Sequence, residues 1–497
     1  MKKALSFKDF FLPLILSVFH CIITLFTDKS VFTVLTNDMT IERWGNYSIC
    51  KVCLLVLLFY IYRSIIRLII SKDKNSLIEY KILKFAVPYL IPIIAVLIFK
   101  LPQGFLTNDE SLIFIQAQEL NSYKWFYYLT TYYYIVSMML IPCWFGPVIV
   151  KVSIQILICG YVVFRLFNYT NKSKYSFIGY LAFLLPPVLA YTTSAHRIPV
   201  FYLLYLLLLF IPLMDKLEGI RPSKNKLFWL LLLSAILTQW RTEGIYIAVI
   251  FPLILFSCYK ELLVKKNIIL LLLFSVMFQY IVAIPQYGLI PDRMGDQANN
   301  RMGPFWAYTI TNMYRNGLDL EKNAADLDKV GRYLDLSVLD AINKDLGDIN
   351  YEDTLILYYE GYTGVKPEAT VEDYIAYTEG CKNIFINNPS VLIKTKFGSF
   401  DYAARPYHLK PGIVNRGKDI VYDLYLPLLL LILIWIYSVI KKNLTIFLST
   451  SGLLGHFIIV FILSPASYFK YYFPIYMMGY FYFIVGVIFY LHSRSKK

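Results

Sequence analysis

"RPSKNKLFWLLLLSAILTQWRTEGIYIAVIFPLILFSCYKELLVKK" fills residues 221–266, and its reading decides the fold class. Two apolar runs, 228–241 and 243–257, meet at Arg241-Thr-Glu243, and both outer ends are basic. A helix with one face in water does not need such uninterrupted runs, whereas one in a hydrocarbon layer does. Basic ends on one side and a short polar turn on the other describe a membrane hairpin with its lysines in the cytoplasm.

The rest of the chain repeats this unit. It has 497 residues, of which 58% are hydrophobic, 17% aromatic and only 16% charged. Soluble domains carry about 25% charged residues, so composition alone points to an all-α polytopic membrane protein. Apolar runs occur near 10–26, 49–69, 85–100, 146–166, 176–191, 197–214, 228–241, 243–257, 268–286, 421–440, 444–463 and 470–490. The expectation is therefore about twelve transmembrane helices. The first run follows "MKK" and has no small-residue cleavage site, so it reads as a retained helix.

The basic stretches 71–84, 165–174, 215–226, 258–266, 441–443 and 492–497 fall on the side of "MKK" if the runs alternate. That rule places both termini in the cytoplasm and 27–48, 101–145, 192–196, 287–420 and 464–469 outside. The +15 net charge lies mainly in these loops, which argues for a lipid bilayer and no nucleic acid as partner. Lys-, Ile-, Asn- and Tyr-rich usage points to the plasma membrane of a bacterium with an AT-rich genome. The seven cysteines lack disulfide spacing, and Cys50-x-x-Cys53 has no further ligands near it, so a packing role is expected.

Four regions follow: a hairpin and cytoplasmic loop (1–84), a core (85–286), an external insert (287–420) and three closing spans (421–497). Residues 101–145 contain "WFYYLTTYYYIVSMMLIP", whose Tyr and Trp favour the membrane surface, so an interfacial helix is expected there. Residues 291–380 hold 17 Asp and Glu against 8 Lys and Arg, as a soluble insert would. Apolar spacing predicts helix in "EKNAADLDKVGRYLDLSVLDAINKDL" and in "TVEDYIAYTEGCKNIFINNPSVLIKTKF".

Polar groups at helix ends in such a chain are costly to hold and usually functional. On the external side these are Asp109 and Glu110, Lys151, His196 and Arg197, Arg241 and Glu243, and Lys470. Each also has an ordinary structural reading. Arg241 and Glu243 can pair across their turn, the lysines can snorkel, Asp109 or Glu110 can cap a helix, and His196 can be a packed histidine. Taken together, the cations suit a lipid-linked phosphate and the carboxylates suit proton removal from a hydroxyl. No Gly-rich phosphate loop is present.

The order of these motifs resembles the GT-C class of polytopic glycosyltransferases, which includes protein O-mannosyltransferases and aminoarabinose transferases. "LTNDES" (106–111) stands where that class carries its acidic motif. "CWFGPVIVKVSIQIL" (143–157) is similar to its "FG" entry to a span with a basic residue, and "LLPPVLAYTTSAHRIPVFYLLYLLLL" (184–209) to its Pro-containing helix pair. "LTQWRTEGIYIAVIFPLIL" and "YFKYYFPIYMMGYFYF" resemble its Arg-bearing hairpin and its last-helix motif. Two features depart from the class: two spans precede the one leading to the acidic motif, and the insert lies before the last three spans.

The resemblance implies a GT-C-like fold and transfer of a sugar from a polyprenyl-phosphate donor to an extracytoplasmic glycan, lipid or protein hydroxyl. Asp109 would be the base and Glu110 its neighbour in catalysis. Lys151, Arg197, Arg241 and Lys470 would hold the donor phosphate. Glu243, His196, Arg405 and His408 would serve the acceptor side. A divalent metal on Asp109, Glu110 and His196 is an option that the resemblance leaves open. A flippase or transporter of lipid-linked saccharides and a lipid-linked polysaccharide polymerase are the alternatives.

Overall fold

The computed structural model describes residues 7–36, 38–100, 108–122, 126–260, 265–289, 303–339, 364, 366, 368–408, 410–464 and 466–495. The side chains of Lys100, Asn108, Asp109, Lys265, Lys266, Ile268, Leu289, Gly303 and Pro304 lie outside that description. The described chain is almost wholly helical. Among the described residues ten helices are long and apolar enough to cross a membrane, and a bent pair would make eleven. The chain is thus a multi-pass membrane protein.

Contacts divide it into two compact units. Residues 1–291, 437–449 and 480–497 form the first, and 292–436 and 450–479 the second. The first unit opens with α1 (Leu12–Val31), α2 (Ile41–Ile70) and α3 (Ile78–Lys100). Thr40 caps α2, its hydroxyl accepting from the Arg43 amide. Asp28 on α1 is buried and accepts from Tyr47 of α2 at 2.6 Å while pairing with Lys51, which also donates to Thr24 at 2.7 Å. A polar ladder thus pins this otherwise lipid-facing hairpin.

Two short helices follow, α4 (Asn108–Gln118) and α5 (Tyr128–Leu140). At 13 residues α5 is too short to span, and Tyr134, Ile135, Met138 and Met139 are almost completely buried. The stretch expected to lie on the membrane surface is covered by protein, in a core shared with α2 and α4. α6 (Gly146–Tyr169) then crosses. A Cβ at Gly146 would stand 2.5 Å from the Ile141 carbonyl, so only glycine lets the end of α5 approach α6 this closely. Gly160 likewise admits α3, its added Cβ falling 2.6 Å from the Ile82 carbonyl.

The run at 176–191 is broken rather than continuous. α7 (Leu181–Leu184) ends a tight helical stretch and α8 (Pro186–Thr192) restarts at a 60° bend. Pro186 forces Leu185 out of helical geometry, to ψ 128°, and so causes the bend. α9 (Ile198–Glu218), α10 (Lys224–Thr238), α11 (Tyr246–Tyr259) and α12 (Lys265–Ile284) complete this part. α10 has 15 residues and is not among the helices long enough to cross a membrane. Asp215 is wholly buried where α6, α9, α10 and α11 end, receiving Arg165 at 3.2 Å, Lys226 at 2.9 Å and the Tyr259 hydroxyl at 2.8 Å.

The second unit contains α13 (Gly303–Arg315), α14 (Ala324–Gly331), α15 (Val371–Asn387) and α16 (Pro389–Ala404). A reciprocal capping box between Thr370 and Asp373 starts α15, and those bonds, with Arg332, hold the Asp373 carboxyl below its ordinary range. α14 and α15 share a core of Leu327, Val330, Tyr333, Tyr377, Cys381 and Ile384 with α13. The expected helix past Leu339 lies outside the described residues. α17 (Ile413–Tyr422), α18 (Tyr425–Ile440), α19 (Leu444–Leu463) and α20 (Phe469–Arg494) follow, the last three each partly in one unit and partly in the other.

Candidate functional site

The first unit gathers the acidic motif and the histidine turn. α4 begins at Asn108, so Asp109 and Glu110 lie inside its first turn rather than capping it. The Asp109 side chain lies outside the described residues. Glu110 is 2% exposed, and its Oε1 stands 3.2 Å from His196 Nδ1. His196 sits in the turn between α8 and α9, its ring 5.1 Å from that of Tyr191.

Lys151 explains why that turn holds its shape. The side chain is 1% exposed, in the second turn of α6. Its Nζ donates to the carbonyls of Tyr191 (3.2 Å), His196 (2.6 Å) and Ser194. An ammonium has three N–H groups, and three carbonyls receive them. Lys151 therefore braces the turn and does not snorkel.

Arg197 is similarly anchored. It donates to the Phe126 carbonyl at 3.1 Å and lies 5.0 Å from the centre of the Phe126 ring. Tyr134 of α5 donates to the Ala195 carbonyl at 2.5 Å. Burial, and next the Glu110 carboxylate, push the Tyr134 phenol well above its ordinary value, while Arg197 opposes them. Tyr134 is thus within electrostatic reach of both charges.

α5 also touches the WRTEG turn. Thr130 donates to the Trp240 carbonyl at 3.5 Å, and the Tyr133 ring lies 5.7 Å from that of Trp240. There Arg241 and Glu243 pair, with Nε to Oε1 at 2.6 Å and a second contact through Nη2. The turn is tight because a Cβ at Gly244 would fall 2.5 Å from the Leu237 carbonyl. Of the sequence-derived candidates, the structure brings Glu110, His196, Arg197 and Lys151 together and ties Arg241 and Glu243 to the same short helix.

The remaining candidates belong to the second unit. Lys470 lies 4.8 Å over the Tyr468 ring and 5.8 Å from that of Tyr471. Arg405 is held by Asp401 through both carboxylate oxygens, at 2.6 and 2.8 Å, and His408 Nδ1 meets the Arg405 carbonyl. Among the described residues no group of three His, Cys, Asp or Glu side chains is placed to hold a metal ion. The sequence reading missed Tyr134, Phe126 and Tyr191. Only the spacing of Thr130, Tyr134 and Ser137 marked a polar stripe on α5, inside a tyrosine run that favours the surface equally well.

Comparison with known proteins gives no matching family model, no matching characterised relative and no matching solved structure.

Proposed function

We propose that this chain is a membrane glycosyltransferase of GT-C type. It would move a sugar from a polyprenyl-phosphate carrier to a hydroxyl of an extracytoplasmic glycan, lipid or protein, in a bacterial plasma membrane with both chain ends inside. The observation that carries this reading is the buried Glu110–His196 pair beside Arg197, held by one short helix that also contacts the Arg241 turn. A carboxylate–imidazole pair next to guanidinium groups offers a proton acceptor and anion donors together.

In the proposed step the acceptor oxygen attacks the anomeric carbon as the bond from that carbon to the phosphate oxygen breaks. The hydroxyl proton passes to Asp109, and polyprenyl phosphate leaves with the bonding electron pair. Glu110 fixes His196 and orients the acceptor. Arg241 takes the leaving phosphate by exchanging part of its pairing with Glu243, and Arg197 adds positive charge. Lys151 serves by shaping the turn. A divalent ion, if the reaction uses one, would draw on Asp109, Glu110 and His196.

A transporter of lipid-linked saccharides is the second reading, favoured by the Asp28–Lys51 pair inside the first hairpin. Reconstitution with polyprenyl-phosphate sugars and mass analysis separates the two. A transferase makes a product of new mass and loses it in Asp109→Asn with normal membrane insertion. Movement of unaltered lipid, or full transfer by that variant, overturns the proposal.

A further inference from the structure

α17 is unlike every other helix around it. Projected at about 100° per residue, Ile413, Val414, Gly417, Ile420 and Val421 fall in one arc of about 120°. Arg416 and Lys418 flank that arc, each about 40° beyond one edge. Ile413, Val414 and Ile420 are 87%, 68% and 78% exposed, so no described residue covers the apolar face. The opposite face is the one that packs. Tyr422 meets the rings of Tyr407 and Phe469 edge-on, at 5.2 and 5.1 Å, and Tyr476 donates to the Val421 carbonyl at 2.8 Å.

Length fixes where this face lies. α18 has 16 residues, about 24 Å, which falls short of a hydrocarbon core of roughly 30 Å. The candidate span Ile413–Ile440 has 28 residues and joins α17 to α18 across an extended break at Asp423–Leu424. α18 therefore needs the end of α17 to reach the length of a crossing, which sets α17 at the headgroup end of that span. Basic groups collect at that level. Lys410 and Lys418 both lie over the Tyr407 ring, at 5.4 and 5.3 Å, and Arg416 is exposed on the other flank of the arc.

We propose that α17 is a binding site for anionic phospholipid. Its apolar arc rests at the boundary of headgroups and acyl chains, while Arg416 and Lys418, with Lys410, bind the lipid phosphates. Amphipathic helices with basic residues flanking an apolar face lie in that layer for this reason. The site does not depend on the transferase reading.

The test uses the full chain in nanodiscs of phosphatidylcholine with or without phosphatidylglycerol. A diazirine amino acid placed at Ile413 or Ile420 should form lipid adducts on illumination, and one placed at Asp419 should not. Phosphatidylglycerol retained in native mass spectra should fall roughly tenfold or more in R416Q/K418Q. Excess inorganic phosphate should leave that retention unchanged. Adducts to a second copy of the chain, equal labelling at Asp419, competition by free phosphate, or unchanged retention in R416Q/K418Q would each overturn the proposal. Both substituted residues are exposed, so the variant keeps its fold, and an unchanged thermal midpoint checks this.

Discussion

Replacing Lys151 by methionine tests the bracing of the histidine turn directly. The substitution keeps the length of the side chain and removes three charge-assisted hydrogen bonds. The Tyr191 carbonyl retains the Ser194 hydroxyl at 2.7 Å, so the main loss falls on the Ser194 and His196 carbonyls. Each buried carbonyl left without a partner costs about 1–3 kcal/mol. Removing a buried ammonium returns part of that sum. A net loss on the order of 3 kcal/mol remains, or about a hundredfold in a local opening equilibrium. The amides of Thr193 and Ser194, which donate within this turn to Leu189 and Tyr191, report that opening. Hydrogen exchange of the full protein in nanodiscs should show them exchanging about a hundredfold faster in Lys151→Met, with the far end of α6 around Arg165 unchanged. Ser153→Ala, on the exposed side of the same helix, should change nothing there. Protection within threefold of the unsubstituted protein would refute the bracing role and return Lys151 to the list of anion ligands.

Three further outcomes are expected. Glu243→Gln should strengthen polyprenyl-phosphate binding several-fold by releasing Arg241 from its pair, and Arg241→Ala should weaken it; lipid-binding titrations check both. Asp215→Asn should lower the thermal midpoint, because a buried carboxylate removed from its cations costs about 3–5 kcal/mol, and scanning fluorimetry reads the shift. Lys396 of α16 is buried against Thr309 and the Phe305 ring, and burial pushes its ammonium down to about 7. The unfolded chain then binds the proton between about 7 and 10.5 while the folded one does not, so stability rises with pH across that window. The full span corresponds to about 5 kcal/mol. Lys396→Met should remove the slope and stabilise the protein at pH 7; a midpoint with the same pH dependence as before would contradict this.

The apolar runs located the helices well because a hydrocarbon solvent permits little else. Breaks were harder to see. The run at 176–191 reads as one span by hydropathy, yet the Pro186–Pro187 pair bends it, and hydropathy does not register a dihedral angle. The pairing of Arg241 with Glu243 was legible because a single residue separates them in a tight turn. The pairing of Glu110 with His196 was not, since nothing local links α4 to the turn before α9. The burial of α5 was hidden for another reason. Tyr and Trp are amphipathic, and the same residues suit a wet membrane surface or a protein core with carbonyls to receive their hydroxyls.

That last point changes how a cation in such a chain is weighed. At membrane depth, irregular backbone must find its hydrogen bonds inside the protein, because no water is at hand. Here long side chains supply them: Lys151 to three carbonyls, Arg197 to Phe126, Tyr133 to Pro147, Tyr134 to Ala195 and Asn46 to Leu120. Position and charge alone therefore do not separate an anion ligand from a brace; the identity of the groups that receive the N–H bonds does. Lys151 gives its donors to backbone, which the fold needs whatever is bound. Arg241 gives two to a carboxylate, a partner that another anion can replace. On this criterion Arg241 is the stronger choice for the leaving phosphate, and Lys151→Met should move turn dynamics far more than the affinity for carrier lipid, with Arg241→Ala doing the reverse. Equal effects of the two variants on both readouts would show that bracing and anion binding are not separable here.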